Sequence, residues 1–325
     1  MAARRAATPQ RPPSCDRPLL SPEDLAEILS ELDTNIREEV LEQVTPQALA
    51  EALNELESDD AADVVDDLDE GKRHAVLSAM SDVDRAAIET SLAYEDETAG
   101  RLMQREVLAA PQFWTVGQTI DHIQRSAEEL PELFFDVYVI DPAFIPTGAV
   151  AVSQLLKAQR DVTLASIMEP LTEIPVDMDQ EEVAYIFNKY HLISAPVVEP
   201  GGRLVGQITV DDIVGVIQEE TEEDILALAG VSDAGRDADV FGIVRSRLPW
   251  LLANLVTEAI AVTVISPFQP MIAKIVILVM LLPIVSSLGG NAGTQALTVA
   301  VRAIASKELN AHNAARVIAR ELSVG

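Results

Sequence analysis

The chain has 325 residues, with 53 Asp or Glu against 23 Lys or Arg and a formal net charge of −30, so it is too long for one ordinary compact domain and too acidic to seek nucleic acid. The charge is unevenly placed: beyond position 240 only Glu258, Glu308 and Glu321 stand against seven basic residues, so the first 240 residues carry −34 and the rest +4. Two physical environments share one polypeptide, and the acidic one attracts divalent cations wherever carboxylates converge.

Residues 1–20 lack an apolar run and contain Pro, Arg and the single Cys15. They predict a disordered tail rather than a secretory signal, with no partner for Cys15 in a disulfide or metal cluster. From 21 to 96 the sequence predicts an acidic helical domain: short segments with apolar residues three and four apart, such as Leu25, Ile28, Leu29 and Leu32. Ser21 before Pro22 and Thr45 before Pro46 are helix-opening pairs. After Trp114 the period changes, and Val137 to Leu156 falls without gaps on Ala195 to Val214 at an offset of 58, Gly148 meeting Gly206. Each repeat reads helix, strand, turn, strand, helix. This pattern resembles a tandem CBS-domain pair over residues 97–218.

An acidic run, Glu219, Glu220, Thr221, Glu222, Glu223 and Asp224, opens a connecting helix within 219–246. Two apolar stretches follow, predicting membrane spans at about 248–266 and 270–303, each near the ~20 residues a crossing needs. Arg245 and Arg247 precede the first span and Arg302 and Lys307 follow the second, while the connector Ser266 to Pro270 is uncharged. Both charged ends are therefore expected in the cytoplasm, with the acidic front part beside them.

The second stretch runs into Gly289, Gly290, Asn291, Ala292, Gly293, Thr294 and Gln295. Small residues let membrane helices approach closely, and the Asn, Thr and Gln oxygens suit a cation that keeps its waters, as Mg2+ does; helix packing alone is the plainer use of the glycines. Pro283, this glycine–asparagine element and Arg302 resemble the second membrane helix of MgtE-type magnesium transporters. Glu97-Thr98-Ala99-Gly100-Arg101-Leu102-Met103, Asp179 to Ala184, and Arg247 to Leu252 are similar to the same family.

The resemblance implies a multidomain fold: an α-helical superhelix, an α/β CBS-domain pair, a connecting or plug helix and a partial α-helical transmembrane domain, cut off before a third membrane helix. It implies a homodimeric, multi-pass protein of the bacterial inner membrane, in contact with lipid, that moves Mg2+ and is closed by cytosolic Mg2+. By position, Asn291, Gly293, Thr294 and Gln295 line the pore, and Asp212 is a sensor carboxylate. Gly215 departs from the family at a position that often carries another Asp. Physical reasoning independently gathers Asp59, Asp60 and Asp63 on one helix and Asp212, Glu219, Glu220, Glu223 and Asp224 on another as regulatory metal ligands, the alternative being solvated faces. Gly206, Thr209 and Asp212 also reproduce the spacing by which some CBS units hold the ribose of ATP or a similar nucleotide; ordinary sheet packing is the alternative.

Glu258 and Lys274 are costly in lipid and become functional candidates, unless Lys274 snorkels and Glu258 faces the bundle. His74, His122, His191 and His312 lack metal-ligand spacing. No zinc-protease motif, phosphate loop or paired Cys supports an enzyme. The rival reading is a non-conducting module that senses Mg2+ or nucleotide, and this chain alone is not expected to conduct.

Overall fold

In the computed structural model, the structure describes residues 20–32, 34–126, 130–131, 133–228, 230, 240–275, 277–305, 307, 309 and 313–324. The predicted tail over 1–19 and His312 lie outside the described residues. The chain divides into two compact units, one formed by Met1–Gln180 with Ile193–Thr209 and the other by Glu181–Leu192 with Val210–Gly325.

The first unit opens with six short helices: α1 (Pro22–Glu31), α2 (Thr34–Gln43), α3 (Pro46–Leu53), α4 (Ser58–Asp66), α5 (Glu70–Ala79) and α6 (Asp82–Ser91). Their starts follow from local chemistry. Ser21 Oγ accepts the Asp24 amide at 3.1 Å while the Asp24 carboxylate accepts the Ser21 amide at 3.2 Å, a reciprocal cap; the Ser21 hydroxyl, donating to Asp24 Oδ2 at 2.8 Å, and then this amide hold the Asp24 carboxyl below the usual carboxylate range. Thr45 Oγ1 caps α3 through Ala48, with Pro46 in the first turn, and Asp69 Oδ1 accepts the amides of Gly71 and Lys72 at the start of α5. The helices pack as offset pairs, α1 on α3, α3 on α5 and α4 on α6. The apolar core runs from Leu25 to Ile88, with Leu29, Leu49, Val64 and Val65 fully buried. Each such leucine contributes about 1.5–3 kcal/mol, which is how helices of ten residues or fewer persist at all.

The chain continues through α7 (Ala99–Leu102), β1 (Ala109–Pro111), α8 (Val116–Arg125), β2 (Asp136–Ile140), β3 (Pro146–Ala151), α9 (Val152–Leu155), α10 (Leu164–Ile167), β4 (Ile174–Pro175), α11 (Gln180–Tyr190), β5 (Ser194–Val198) and β6 (Leu204–Thr209). The strands form two three-stranded sheets, β1-β2-β3 and β4-β5-β6, each a parallel pair followed by an antiparallel hairpin. The repeat is kept to the register: Val139 faces Gly148 in one hairpin, Val197 faces Gly206 in the other, and each hairpin has its irregularity at the next residue.

The two sheets exchange their edges. The segment ahead of the first sheet crosses to the second, where Gln104 and Gln207 trade amide hydrogen bonds of 2.9 Å in both directions. The segment ahead of the second sheet does the reverse, Glu169 and Ala149 exchanging bonds of 2.8 and 3.0 Å. Both pairings need a glycine on the strand they meet. A Cβ on Gly206 would sit 2.6 Å from the Gln104 carbonyl oxygen, and one on Gly148 would sit 2.9 Å from that of Glu169.

The second unit contains α11 and α12 (Val210–Leu228), then α13 (Val240–Ile265), a 3-10 turn at Ser266–Phe268, α14 (Gln269–Lys274), α15 (Ile277–Ala305) and α16 (Ala314–Val324). The connecting helix thus begins before the acidic run, since α12 is continuous from Val210. The stretch Val244–Lys274 is long and apolar enough to cross a membrane, and its most apolar part buries no residue. Where the sequence predicts a second span from about 270, the chain has α14, ends it at Ile275 with φ −122° and ψ 80°, and starts α15 at Ile277. Two prolines account for much of this remodelling. Pro267 sits at the start of the 3-10 turn and Pro270 at the start of α14, first-turn positions where the missing amide costs nothing.

Candidate functional site

On α15, Asn291, Thr294 and Gln295 fall at i, i+3 and i+4 and make one polar stripe, which Thr298 extends at i+7. Thr298 was not singled out from the sequence, although the same spacing would have found it. Gly293, two residues beyond Asn291, is turned about 160° from it around the helix. Of the four residues expected to line a pore, three share a face and the fourth does not. Thr294 Oγ1 donates to the Gly290 carbonyl at 3.1 Å and Thr298 Oγ1 to that of Thr294 at 2.9 Å. Their hydroxyls remain acceptors on the stripe. Among the described residues, no atom outside the chain neighbours and the helix's own backbone lies within 4 Å of the position a Cβ would take on Gly289, Gly290 or Gly293. This flank is open to another helix.

The predicted regulatory carboxylates fall in both units. In the first, α4 carries Asp59, Asp60 and Asp63. Asp59 is buried, at 8 % exposure. Asp63 lies 3.3 Å from the Arg101 guanidinium, which also reaches Asp66 at 3.2 Å and Asp96 at 3.7 Å. Arg73 adds a contact to Asp66 at 3.0 Å, and Arg37 one to Asp67 at 2.8 Å. Desolvation raises the carboxyls of Asp63 and Asp67 above their ordinary value, with Arg101 and Arg37 respectively opposing the shift. Sequence reasoning missed these arginines because each comes from a different helix.

In the second unit, α12 carries Asp212, Glu219, Glu220, Glu223 and Asp224. Asp212, Glu219 and Glu223 lie along one face, with Glu220 on its border and Asp224 turned away. Position 215 would continue this stripe beside Asp212, and Gly215 leaves it open, with no atom within 4 Å of where a Cβ would lie. Glu219 and Glu223 are a turn apart, about 6 Å between Cβ atoms, a spacing a hydrated divalent ion can span. Among the described residues, no group of three or more His, Cys, Asp or Glu side chains converges as a metal cage. Within the same unit α12 touches α15, and Lys307, beyond the end of α15, lies 4.6 Å from the centre of the Tyr185 ring and 4.0 Å from Glu182 on α11.

The nucleotide trio is divided: Gly206 lies within β6 and Thr209 ends it in the first unit, and Asp212 lies in the first turn of α12 in the second. Gly206 has a structural duty already, the close approach of Gln104, and Thr209 is buried at 3 % exposure. Glu258 and Lys274 are both exposed. His122 packs edge-on to Trp114 with ring centres 5.2 Å apart.

Sequence models of three kinds match the chain in order: the MgtE intracellular N domain over residues 18–97, the CBS domain over 162–219, and a divalent cation transporter model over 282–325. The magnesium transporter MgtE of Bacillus subtilis (strain 168) is 30% identical over 304 residues, covering 93% of this chain and 67% of that protein. The chain belongs to the MgtE family. The MgtE magnesium transporter of Thermus thermophilus is 31% identical over 249 residues, 74% of this chain and 54% of its own length. The chain thus spans about half to two thirds of the MgtE proteins it matches. Two solved structures agree in fold. The cytosolic domain of the Mg2+ channel MgtE in complex with ATP has 33% identity and a TM-score of 0.57, over 61% of this chain and 81% of its own. The soluble part of a magnesium transporter has 30% identity and a TM-score of 0.59, over 62% and 79%. The helical superhelix, CBS region and membrane-type helices are therefore those of this family.

Proposed function

We propose that this chain forms the cytosolic sensor and the first membrane helices of a homodimeric Mg2+ transport protein in the bacterial inner membrane, with its front part in the cytoplasm. The observation that carries the reading is the polar stripe of Asn291, Thr294 and Gln295 on α15, with the open glycines Gly289 and Gly293 on the opposite side of the same helix. Mg2+ holds its waters tightly, and a row of neutral oxygens can accept hydrogen bonds from those waters without stripping them. Gly289 and Gly293, on the side of the helix away from the stripe, admit a second helix at short range, which suits a pore built from more than one helix.

Control comes from α12. Its carboxylate stripe repels itself at low Mg2+, and divalent ions screen that repulsion and favour a compact, closed arrangement. The contact of α12 with α15 supplies a route from sensor to pore. Asp59, Asp60 and Asp63 contribute a second acidic face, on which Asp63 must exchange its Arg101 contact for an ion. The chain belongs to no enzyme class by this reading.

A second reading concerns ATP. A related cytosolic domain was solved with ATP, and the sequence spacing of Gly206, Thr209 and Asp212 suits a ribose. We assign them that role as a secondary function.

The test is protease protection of the chain in detergent across a Mg2+ titration, with K+ as control. Saturable protection by Mg2+, weakened in Glu219→Gln/Glu223→Gln, is expected. Cleavage that is unchanged from zero to tens of millimolar Mg2+ would refute the sensor.

A further inference from the structure

The second CBS repeat meets the end of α15 through one basic residue. α11, the helix between β4 and β5, has two sides. Val183, Ala184 and Phe187 are buried, and Glu182, Tyr185 and Lys189, at i, i+3 and i+7, run along the opposite side. Such an outer stripe is ordinarily a solvated face, yet Tyr185 is half-buried. Lys307 Nζ sits over its ring, 4.6 Å from the ring centre, and Lys189 Nζ, from the next turn of α11, lies 5.5 Å from the same centre. Both fall inside the ~6 Å at which an ammonium is attracted to an aromatic face. Lys307 Nζ is also 4.0 Å from Glu182, but that carboxylate is 57% exposed. The ion pair therefore adds little by itself, and the ring is the firmer partner.

The backbone at Lys307 is shaped for this contact. α15 ends at Ala305, and the chain turns at Lys307, where φ is 51°. The turn is closed by the Lys307 amide on the Ile304 carbonyl and the Leu309 amide on that of Ala303, both at 2.8 Å. Helices commonly end on a residue in this left-handed region, and glycine is the usual occupant because it has no Cβ to strain. A lysine gains from the negative end of the helix dipole. Arg302, in the last turn of α15, has that gain already and without the strain. What the strained position adds is an ammonium over Tyr185.

We propose that the outer stripe of α11 is a dock for Lys307, tying the basic end of α15 to the second CBS repeat at a point separate from α12. A displacement of α11 then reaches the helix that carries Asn291, Thr294 and Gln295 without passing through the acidic stripe. Both partners belong to the second unit. Lys307 is thus a positioning residue for α15; its regulatory use rests on the transport reading, whereas the dock itself does not.

The experiment uses the full chain in detergent with Cys15→Ser and a bimane fluorophore on Ile304→Cys, an exposed position one turn before Lys307. Tyr185→Trp keeps an aromatic face and quenches bimane at short range, and Tyr185→Phe gives the baseline against which Trp114 and Trp250 cancel. Lys307→Gly keeps the left-handed turn and removes only the ammonium. It should lower the quenched-to-unquenched ratio by about two- to fivefold, the range an exposed cation–aromatic contact commands. Lys307→Arg should retain the quenching, and Glu182→Gln should change it by less than Lys307→Gly does. Circular dichroism should show the helices intact in Lys307→Gly. Quenching that survives Lys307→Gly would overturn the dock. So would equal loss in Glu182→Gln, which would reduce the contact to a surface ion pair, or lost helix content in Lys307→Gly, which would make the residue part of the fold. If protease protection does not respond to Mg2+ while the quenching behaves as expected, the sensor reading fails and the dock stands.

Discussion

Replacing Gly206 by Ala tests whether the exchanged edge of the second sheet is as tight as it looks. The new methyl would lie 2.6 Å from the Gln104 carbonyl oxygen and 2.7 Å from the Met103 sulfur. The sulfur ends a flexible side chain and can swing, but the carbonyl is part of a two-way amide pairing with Gln207 at 2.9 Å. Overpacking of this kind costs about 1–3 kcal/mol, and weakening two hydrogen bonds costs about 1 kcal/mol each. Reduced freedom of the unfolded chain returns about 0.4–1 kcal/mol. The net loss is about 2–4 kcal/mol, or a urea midpoint lower by about 1–2 M at a slope near 2 kcal/mol/M. Trp114, packed on the first sheet's core, can report unfolding by fluorescence in a Trp250→Phe background. Because each sheet holds the other's edge, the loss should appear there although the substitution is in the second sheet. Gly148→Ala, with its nearest backbone oxygen at 2.9 Å, should cost less. A midpoint unchanged by Gly206→Ala, or a larger loss from Gly148→Ala, would refute the packing argument. If Gly206→Ala instead removed ATP binding at full stability, the glycine's first duty would be the nucleotide.

Gly215→Asp should restore the gap in the α12 stripe and lower the Mg2+ concentration for half-maximal protease protection by about twofold or more, since added ligand charge raises affinity for hard cations; protection at an unchanged concentration would sink the stripe. Ser194→Ala and Tyr138→Phe should differ in cost. Tyr138 Oη donates to Ser194 Oγ at 2.9 Å, and Ser194 donates to Asp136 at 2.7 Å. Losing Ser194 strands a buried hydroxyl, costing about 1–3 kcal/mol, whereas losing the tyrosine hydroxyl leaves the second bond intact at about 0.5–1.5 kcal/mol; denaturant midpoints will give the order. Asp67 provides a pH test. Burial raises its carboxyl above the unfolded value despite Arg37, so the ionised form costs stability at neutral pH and the cost is relieved as pH falls through the folded pKa toward the unfolded one. The stability of the parent relative to Asp67→Asn should therefore rise as pH falls, in urea unfolding at several pH values, and a difference that shrinks would reverse the assignment.

What the sequence revealed and what it hid divide along the distance between interacting residues. Ser21, Thr45 and their following prolines marked helix starts because a cap acts over three residues. The offset of 58 carried through to the strand register because a hairpin fixes its own pairing. The edge exchange was invisible, since it joins Gln104 to Gln207 across 103 positions. The arginine contacts of Asp63, Asp66 and Asp67 were hidden in the same way, and acidic residues that looked free in one dimension are partnered in three. On α15 the polar stripe could be read from spacing, whereas Gly293 was placed beside it by resemblance alone and lies on another face of the helix.

The edge exchange also sets a schedule for synthesis. Residues around Gln104 leave the ribosome about a hundred positions ahead of β6, an interval of about 5–20 s at ordinary elongation rates. Until Thr209 has emerged, Gln104 has no strand to pair with, although Thr98 to Gly100 can already meet residues 176–179. The hairpin of β2 and β3 is served sooner, by Glu169 only about 20 residues after Ala149. The first sheet can close while the second half is still being made; the pairing of Gln104 must wait for the end of the repeat. Misfolding of newborn chains should accordingly concentrate on mutations in residues 98–106 rather than in 163–170, although the folded molecule uses the two segments almost symmetrically.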